Sequence, residues 1–225
     1  MEIQALRVFP LFYDISEEEL EIVREVAVER KFRKNNLIIF EDDVGNNLFI
    51  IKRGRVKISH ISDEGSEAIL AILGPRDFFG ELAVIDGYGR SASVTSIDEV
   101  ELIMFQRTDF LAIIEKIPKI AIALLKELAG RIRKSDTHIR SLSLLDAKGR
   151  VAATLIRLAE DIGRSKEGKV IIEEMPLQRD LASIAGTSRE TISRVIKKFE
   201  EEGHCSISKN ALQFDDFDRF KKLYS

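Results

Sequence analysis

Cysteine occurs once, as Cys205, in a chain of 225 residues. A single thiol excludes an intramolecular disulfide framework and a cysteine-rich metal or iron–sulfur centre. Long hydrophobic runs are also missing. The uncharged stretches 68–75 and 181–188 are far too short to cross a bilayer. The opening MEIQALRVFP has no basic segment followed by an apolar one, so no secretory signal is expected. These absences point to a cytoplasmic protein without membrane partners. Histidine is scarce as well. His60, His138 and His204 stand far apart, and no nucleophile–histidine pair or metal-spaced cluster suggests an enzyme or a metal centre. What is abundant is an ordinary globular mixture of 44% hydrophobic and 32% charged residues, which excludes a disordered chain. The length suits one large domain or two modest ones.

A strong basic excess is absent too: 35 Lys+Arg face 38 Asp+Glu, a net of −3. Distribution says more than the sum. Residues 146–225 hold 15 Lys+Arg against 14 Asp+Glu, whereas residues 1–145 hold 20 against 24. A nucleic-acid reading therefore needs a local basic face.

Ser16 followed by Glu17, Glu18 and Glu19 is a helix start with Glu19 in the capping-box position. From Phe32 to Phe105 short β-rich runs alternate with glycine turns: 37–40, 48–51, 56–61, 68–73, 93–96 and 100–105. Many short strands at this spacing predict an antiparallel barrel, roll or sandwich. From Asp109 the period turns helical, and Pro118 starts or kinks a second helix. Within 121–142, Leu125, Leu128, Ile132, Ser135, Ile139 and Leu142 are spaced 3, 4, 3, 4, 3, the seam of a coiled coil. A long helix with a narrow apolar stripe calls for a partner helix, so the spacing predicts a homodimer. Ser135 is either a tolerated small residue in that seam or a polar notch facing a ligand.

After Asp146 the chain reads as a separate domain. Its parts are an amphipathic helix over 148–161, a polar loop over 163–168 and a short strand over 170–172. Leu177, Leu181 and Ile184 then mark a short helix, Ala185-Gly186-Thr187 a sharp turn, and Thr187 or Ser188 the cap of the next helix. Ile192, Val195, Ile196 and Phe199 form that helix's inner face. This is a helix-turn-helix pattern, with Gly186 suited to positive φ at the turn. The second helix carries Arg189, Glu190, Arg194, Lys197 and Lys198. Arginine bonds guanine O6 and N7 together, and glutamate accepts from cytosine N4. At 100° per residue, Arg189, Glu190 and Arg194 fall within about 140° of one another and can enter one groove. The runs 206–208 and 211–214 read as a tight β-hairpin, the wing of a winged helix, followed by a C-terminal helix over 216–224.

A second motif is Phe79-Gly80-Glu81-Leu82-Ala83, then Gly89-Arg90-Ser91-Ala92-Ser93-Val94. Glutamate accepts from ribose hydroxyls, arginine pairs bidentately with phosphate, and serine adds a donor. On the residues alone, a glycine turn with a surface Glu–Arg pair is the better reading.

The order of roll, long helix and winged helix, with these two motifs, resembles the bacterial CRP/FNR transcription-factor family over essentially the whole chain. The nine-residue step from Glu81 to Arg90 also fits the wider cyclic-nucleotide-binding fold. The resemblance implies an α+β protein in three parts. These are an antiparallel β-roll of the cyclic-nucleotide-binding type at 1–108, a hinge and long dimerisation helix at 109–145, and a winged helix-turn-helix at 146–225. It implies that Gly80 and Glu81 hold a ribose, that Arg90 and Ser91 hold a cyclic phosphate, and that Arg131 and Ser135 meet the ligand from the long helix. No permanently bound cofactor is implied; a cyclic nucleotide, cyclic AMP before cyclic GMP, is the effector. Asp136, next to Ser135, is a departure from the cyclic-AMP branch: its carboxylate can bond an adenine amino group or repel an anion.

On the DNA side the resemblance implies that Arg189 and Arg194 read guanines and Glu190 a cytosine, in a palindrome of TGTGA-like half-sites. Arg179, Ser188 and Thr191 would hold phosphates. The loop 163–169 corresponds by position to a surface that meets RNA polymerase. The iron–sulfur branch of the family is excluded by the single Cys205. The function implied is a homodimeric, sequence-specific DNA-binding transcription regulator under ligand control. Two alternatives stay open: a regulator active without ligand, and a cyclic-nucleotide-binding module that works through protein contacts.

Overall fold

Ser16 accepts from the backbone N–H of Glu19 at 3.2 Å, while Glu19 accepts from the backbone N–H of Ser16 at 2.7 Å. This closed capping box starts helix α1 (Glu17–Val26) in the computed structural model, which describes residues 3–166 and 168–224. Twelve strands and seven further helices follow among the described residues.

The β-rich stretch holds β1 (Val28–Phe32), β2 (Leu37–Ile39), β3 (Asn47–Arg53), β4 (Val56–Ile61), β5 (Glu67–Leu73) and β6 (Phe78–Phe79). After α2 (Glu81–Asp86) come β7 (Ser93–Ser96) and β8 (Val100–Gln106). They form two four-stranded sheets, ordered β1-β8-β3-β6 and β2-β7-β4-β5. The central strand β3 is buried over Leu48, Phe49, Ile50 and Ile51, with cores on both of its faces. Ile39, Phe49, Ile51, Val56, Phe79, Val94, Val100 and Leu102 make one apolar cluster between the two sheets. A second cluster joins Leu20 and Val23 of α1 with Leu48, Ile50, Phe78, Ile103 and Phe105.

Helix α3 (Arg107–Lys116) begins directly after β8, two residues before Asp109, where the helical period starts in the sequence. Pro118 is the first residue of α4 (Pro118–Leu144), a single helix of 27 residues. Its missing N–H falls where a helix has no intrahelical acceptor to lose, so the ring starts the helix and does not kink it.

Asp146 accepts from Gly149 N–H at 2.7 Å and caps α5 (Ala147–Ile162). Within the expected loop over 163–168, of which residue 167 lies outside the described residues, Arg164–Lys166 form strand β9; it pairs in a hairpin with β10 (Lys169–Ile172), the strand expected over 170–172, with Lys166 opposite Lys169. All three β9 residues are exposed, so no apolar alternation announces that strand. Helices α6 (Gln178–Ala185) and α7 (Arg189–Glu201) precede a second hairpin, β11 (Cys205–Ser208) and β12 (Ala211–Phe214), and α8 (Phe217–Tyr224). The sheet order is β11-β12-β10-β9, all antiparallel. Val151, Leu155, Leu181, Ile184, Ile192, Val195, Phe199, Leu212, Phe214 and Phe220 are its buried partners.

The chain divides into two compact units. One holds residues up to Ser66 with Leu70–Arg133; the other holds Glu67–Ile69 with Lys134 onward.

Candidate functional site

In the first unit, Gly80 lies between β6 and α2 with φ of 79°, in the left-handed region that L-residues avoid. A Cβ there would stand 2.7 Å from Arg90 Nη1 and 2.8 Å from the Asn47 carbonyl, so both backbone shape and close packing require glycine. Glu81, the first residue of α2, is buried although it is a carboxylate. Arg90 is buried to the same degree, each retaining 6% exposure. The Arg90 guanidinium donates to the Gly80 carbonyl at 3.0 Å. Its backbone is fixed by two bonds to the 42–43 segment: Arg90 N–H to Asp43 O at 2.9 Å and Asp42 N–H to Arg90 O at 3.0 Å. Burial pulls the Arg90 guanidinium below its ordinary value, opposed by the charges of Glu81 and Asp43. Among the described residues no carboxylate lies within 4.0 Å of that guanidinium. Ser91, next to it, is exposed.

Arg131 of α4 belongs to the same cluster. Its Nη1 meets Glu81 Oε1 at 2.9 Å, its Nη2 donates to the Phe78 carbonyl, and its guanidinium lies 4.2 Å from the Phe78 ring centroid. Glu81 is thus ion-paired with Arg131, whereas Arg90 has no carboxylate in direct contact among the described residues. Ser135 stands one helical turn beyond Arg131 on α4 and is exposed, as is Asp136.

Three contributors to this cluster carry no signal of their own in the sequence. Phe78 supplies a ring and a carbonyl to Arg131. Gly45 leaves room: a Cβ there would fall 2.1 Å from Ala83 Cβ and 3.2 Å from Arg90 Cδ. Asp43 fixes the Arg90 backbone through its carbonyl. All three act through spatial neighbours more than thirty residues away or through main-chain atoms, which spacing along a chain does not reveal.

In the second unit, Gly186 ends α6 with φ of 56°. Ser188, not Thr187, caps α7: its Oγ accepts from Thr191 N–H at 3.2 Å and donates to Thr191 Oγ1 at 3.2 Å. Arg189, Glu190 and Arg194 are all exposed on α7, opposite its buried Ile192, Val195, Ile196 and Phe199. The Glu190 carboxyl is held below its ordinary value by backbone and Ser188 hydrogen bonds and by Arg189, so it stays an acceptor at neutral pH. Lys197 and Lys198 each have an i,i+4 glutamate, Glu201 and Glu202, at 3.8 Å. Arg179, near the start of α6, is exposed beside Asp180 at 3.5 Å. The structure thus brings Ser188, Arg189, Glu190, Thr191 and Arg194 onto one helix and Arg179 onto its neighbour.

Comparison with known proteins matches two stretches of the chain. Residues 29–117 match the cyclic nucleotide-binding domain family, and residues 149–223 match the Crp-like helix-turn-helix domain family. The chain is 34% identical to the cyclic AMP receptor protein of Thermus thermophilus over 194 residues, 86% of this chain and 87% of that protein. The solved Thermus thermophilus catabolite activator protein aligns over 96% of this chain and 98% of its own, at 30% identity and a TM-score of 0.54. FixK2 from Bradyrhizobium japonicum gives a TM-score of 0.78 at 22% identity, covering 89% of this chain and 98% of its own, which is a likeness of fold. No helix among the described residues is long and apolar enough to cross a membrane.

Proposed function

Since this chain belongs to the CRP/FNR family of DNA-binding transcription regulators, we propose that it is switched by a cyclic nucleotide, with cyclic AMP preferred. The family is one of regulators and not of enzymes, and its members bind DNA as dimers. One observation carries the ligand reading. Arg90 is a buried cation that donates to a carbonyl and, among the described residues, has no carboxylate within ion-pair distance, Glu81 and Asp43 acting on it only from farther away. A desolvated guanidinium without a direct ion pair is costly, and an anion of the size of a cyclic phosphate offsets that cost.

In this reading Arg90 and Ser91 hold the phosphate, and Gly80 and Glu81 hold the ribose. Arg131, already on Glu81, and Ser135 bring α4 to the same ligand. Residues 1–108 sense, 109–145 join two copies and 146–225 read DNA. Arg189, Glu190 and Arg194 read a TGTGA-like half-site, while Arg179, Ser188 and Thr191 hold phosphates. The hairpin β9–β10 is the surface offered to RNA polymerase. Ligand binding shifts the population toward the dimer geometry that suits two successive major grooves.

Two measurements test this together. Calorimetry with cyclic AMP and cyclic GMP is run on the natural protein and on Arg90→Ala; the substitution is expected to abolish binding. Gel shifts on a palindromic TGTGA-type site are run with and without nucleotide. Equal nucleotide affinity in the two proteins would overturn the pocket, and DNA binding indifferent to nucleotide would favour a ligand-free regulator.

A further inference from the structure

Arg150 is absent from both sites described above, yet it touches more main chain than any residue in them. On the first turn of α5, its guanidinium opens toward three carbonyls. Nε donates to Ala185 O at 3.0 Å, Nη1 to Leu145 O at 3.2 Å and Nη2 to Gly186 O at 3.2 Å. Leu145 lies in the two-residue link between α4 and α5. Ala185 and Gly186 are the turn between α6 and α7. A second contact joins the same two places. A Cβ built on Gly186 would stand 3.0 Å from Leu142 Cδ2, so the last turns of α4 pack directly on the helix-turn-helix bend. All these residues belong to one compact unit.

We propose that Arg150 is a positioning residue for DNA recognition: it locks the orientation of the helix-turn-helix to the end of the dimer helix. The physical reason is the shape of the guanidinium. It is planar and fork-like, with five donors fixed in one plane, so it registers three acceptors against one another. A lysine in its place presents one ammonium on a flexible stem and cannot span the same set. The carbonyls it satisfies sit at the α6 C-terminus and in the linker, where helical partners are missing. With the fork in place, α7 turns with α4. Without it, each head keeps its own fold but swivels at residues 145 and 146.

This rests on the family reading that two heads bind paired half-sites. A swivelling head still recognises one half-site. What it loses is the fixed separation between two. Changing the spacer by 2 bp rotates one half-site by about 70° and moves it by about 7 Å. A dimer with rigid heads rejects that change, because the second head no longer meets its site at high effective concentration.

The test uses the full chain. Selection on randomised DNA first yields the palindrome that the natural protein prefers, in the presence of cyclic AMP. Affinities are then measured for that palindrome, for spacers lengthened or shortened by 2 bp, and for a single half-site. The natural protein is expected to lose about tenfold or more on the altered spacers. Arg150→Lys and Arg150→Ala are expected to lose less than about threefold while binding the single half-site as the natural protein does. Arg150→Lys guards against a variant that fails to fold, and its thermal unfolding is compared with the natural protein. A sharp spacer optimum retained by both variants overturns the lock alone. Half-site affinity falling in step with palindrome affinity also overturns it, because Arg150 would then only stabilise the head. Selection that gives no palindrome for the natural protein overturns the two-headed reading and the lock with it.

Discussion

At the scale of single residues, burial decides which polar groups are chemical and which are inert. Arg90 and Cys205 are both buried, with opposite consequences. Arg90 is buried among polar neighbours without a direct ion pair among the described residues, which is what the proposed anion would supply. Cys205 is 3% exposed on β11, and burial together with Glu200 and Asp215 pushes its thiol up to about 11 from an ordinary 9.0. The thiolate is the reactive form, so at pH 8 its population is about a hundredfold below that of an unperturbed thiol. Iodoacetamide at pH 8 should therefore leave Cys205 unmodified in the folded protein and label it fully in urea, as read by intact mass. Labelling at the urea rate under native conditions would contradict its packing. The same shift has a stability sign. The folded group holds its proton more tightly than the unfolded one, so its contribution is intact below pH 9.0 and is lost as pH rises toward 11.

At the scale of elements, the sequence was most readable where a long apolar period or a cap marks the segment. The capping box at Ser16, Pro118 at the start of α4 and Ser188 at the start of α7 are local chemistry, and each lies where the residues place it. β1, β6 and β9 were not legible. β6 has only two residues, both buried, and β9 has three exposed ones, so their strand character comes from pairing with β3 and β10 and not from their own pattern. The site divides the same way. The proposed recognition residues Arg189, Glu190 and Arg194 share one helix and are visible as a cluster, whereas Gly45, Phe78 and Arg150 meet their partners through atoms brought near by the fold. The α4 seam shows how structure refines a pattern. Of its residues, Leu128 packs partly on its own unit's core, while Leu125, Ile132 and Ile139, spaced by seven, are 65%, 64% and 61% exposed. We propose that this exposed stripe is the face a second copy covers. Ile132→Glu with Ile139→Glu should give monomers by light scattering and much weaker operator binding, with little loss of folding, since neither side chain is in a core. A double variant that stays dimeric would place the interface elsewhere.

At the scale of the whole molecule, a protein of net charge −3 must bind a polyanion through a small region. Bulk attraction cannot supply the affinity, so in the proposed reading the α7 face divides its labour between reading bases and neutralising phosphates. The exposed surroundings of Arg189, Glu190 and Arg194 and the glutamate partners of Lys197 and Lys198 suggest how. In the proposed reading the first three, all exposed, face base edges, while each lysine gives up an intrahelical ion pair to add charge. Removing Arg194 should cost about 1–3 kcal/mol on the preferred site and relax the preference at one base pair. Removing Lys197 should weaken all sequences alike and make the salt dependence shallower by about one unit of slope. Binding-site selection on randomised DNA at two salt concentrations separates the two behaviours in a single experiment. If Arg194→Ala keeps the natural base preference at every position while affinity falls uniformly, Arg194 is a phosphate clamp. Base reading would then rest on Arg189 and Glu190 alone, and a half-site with two guanine contacts would have lost one of its readers.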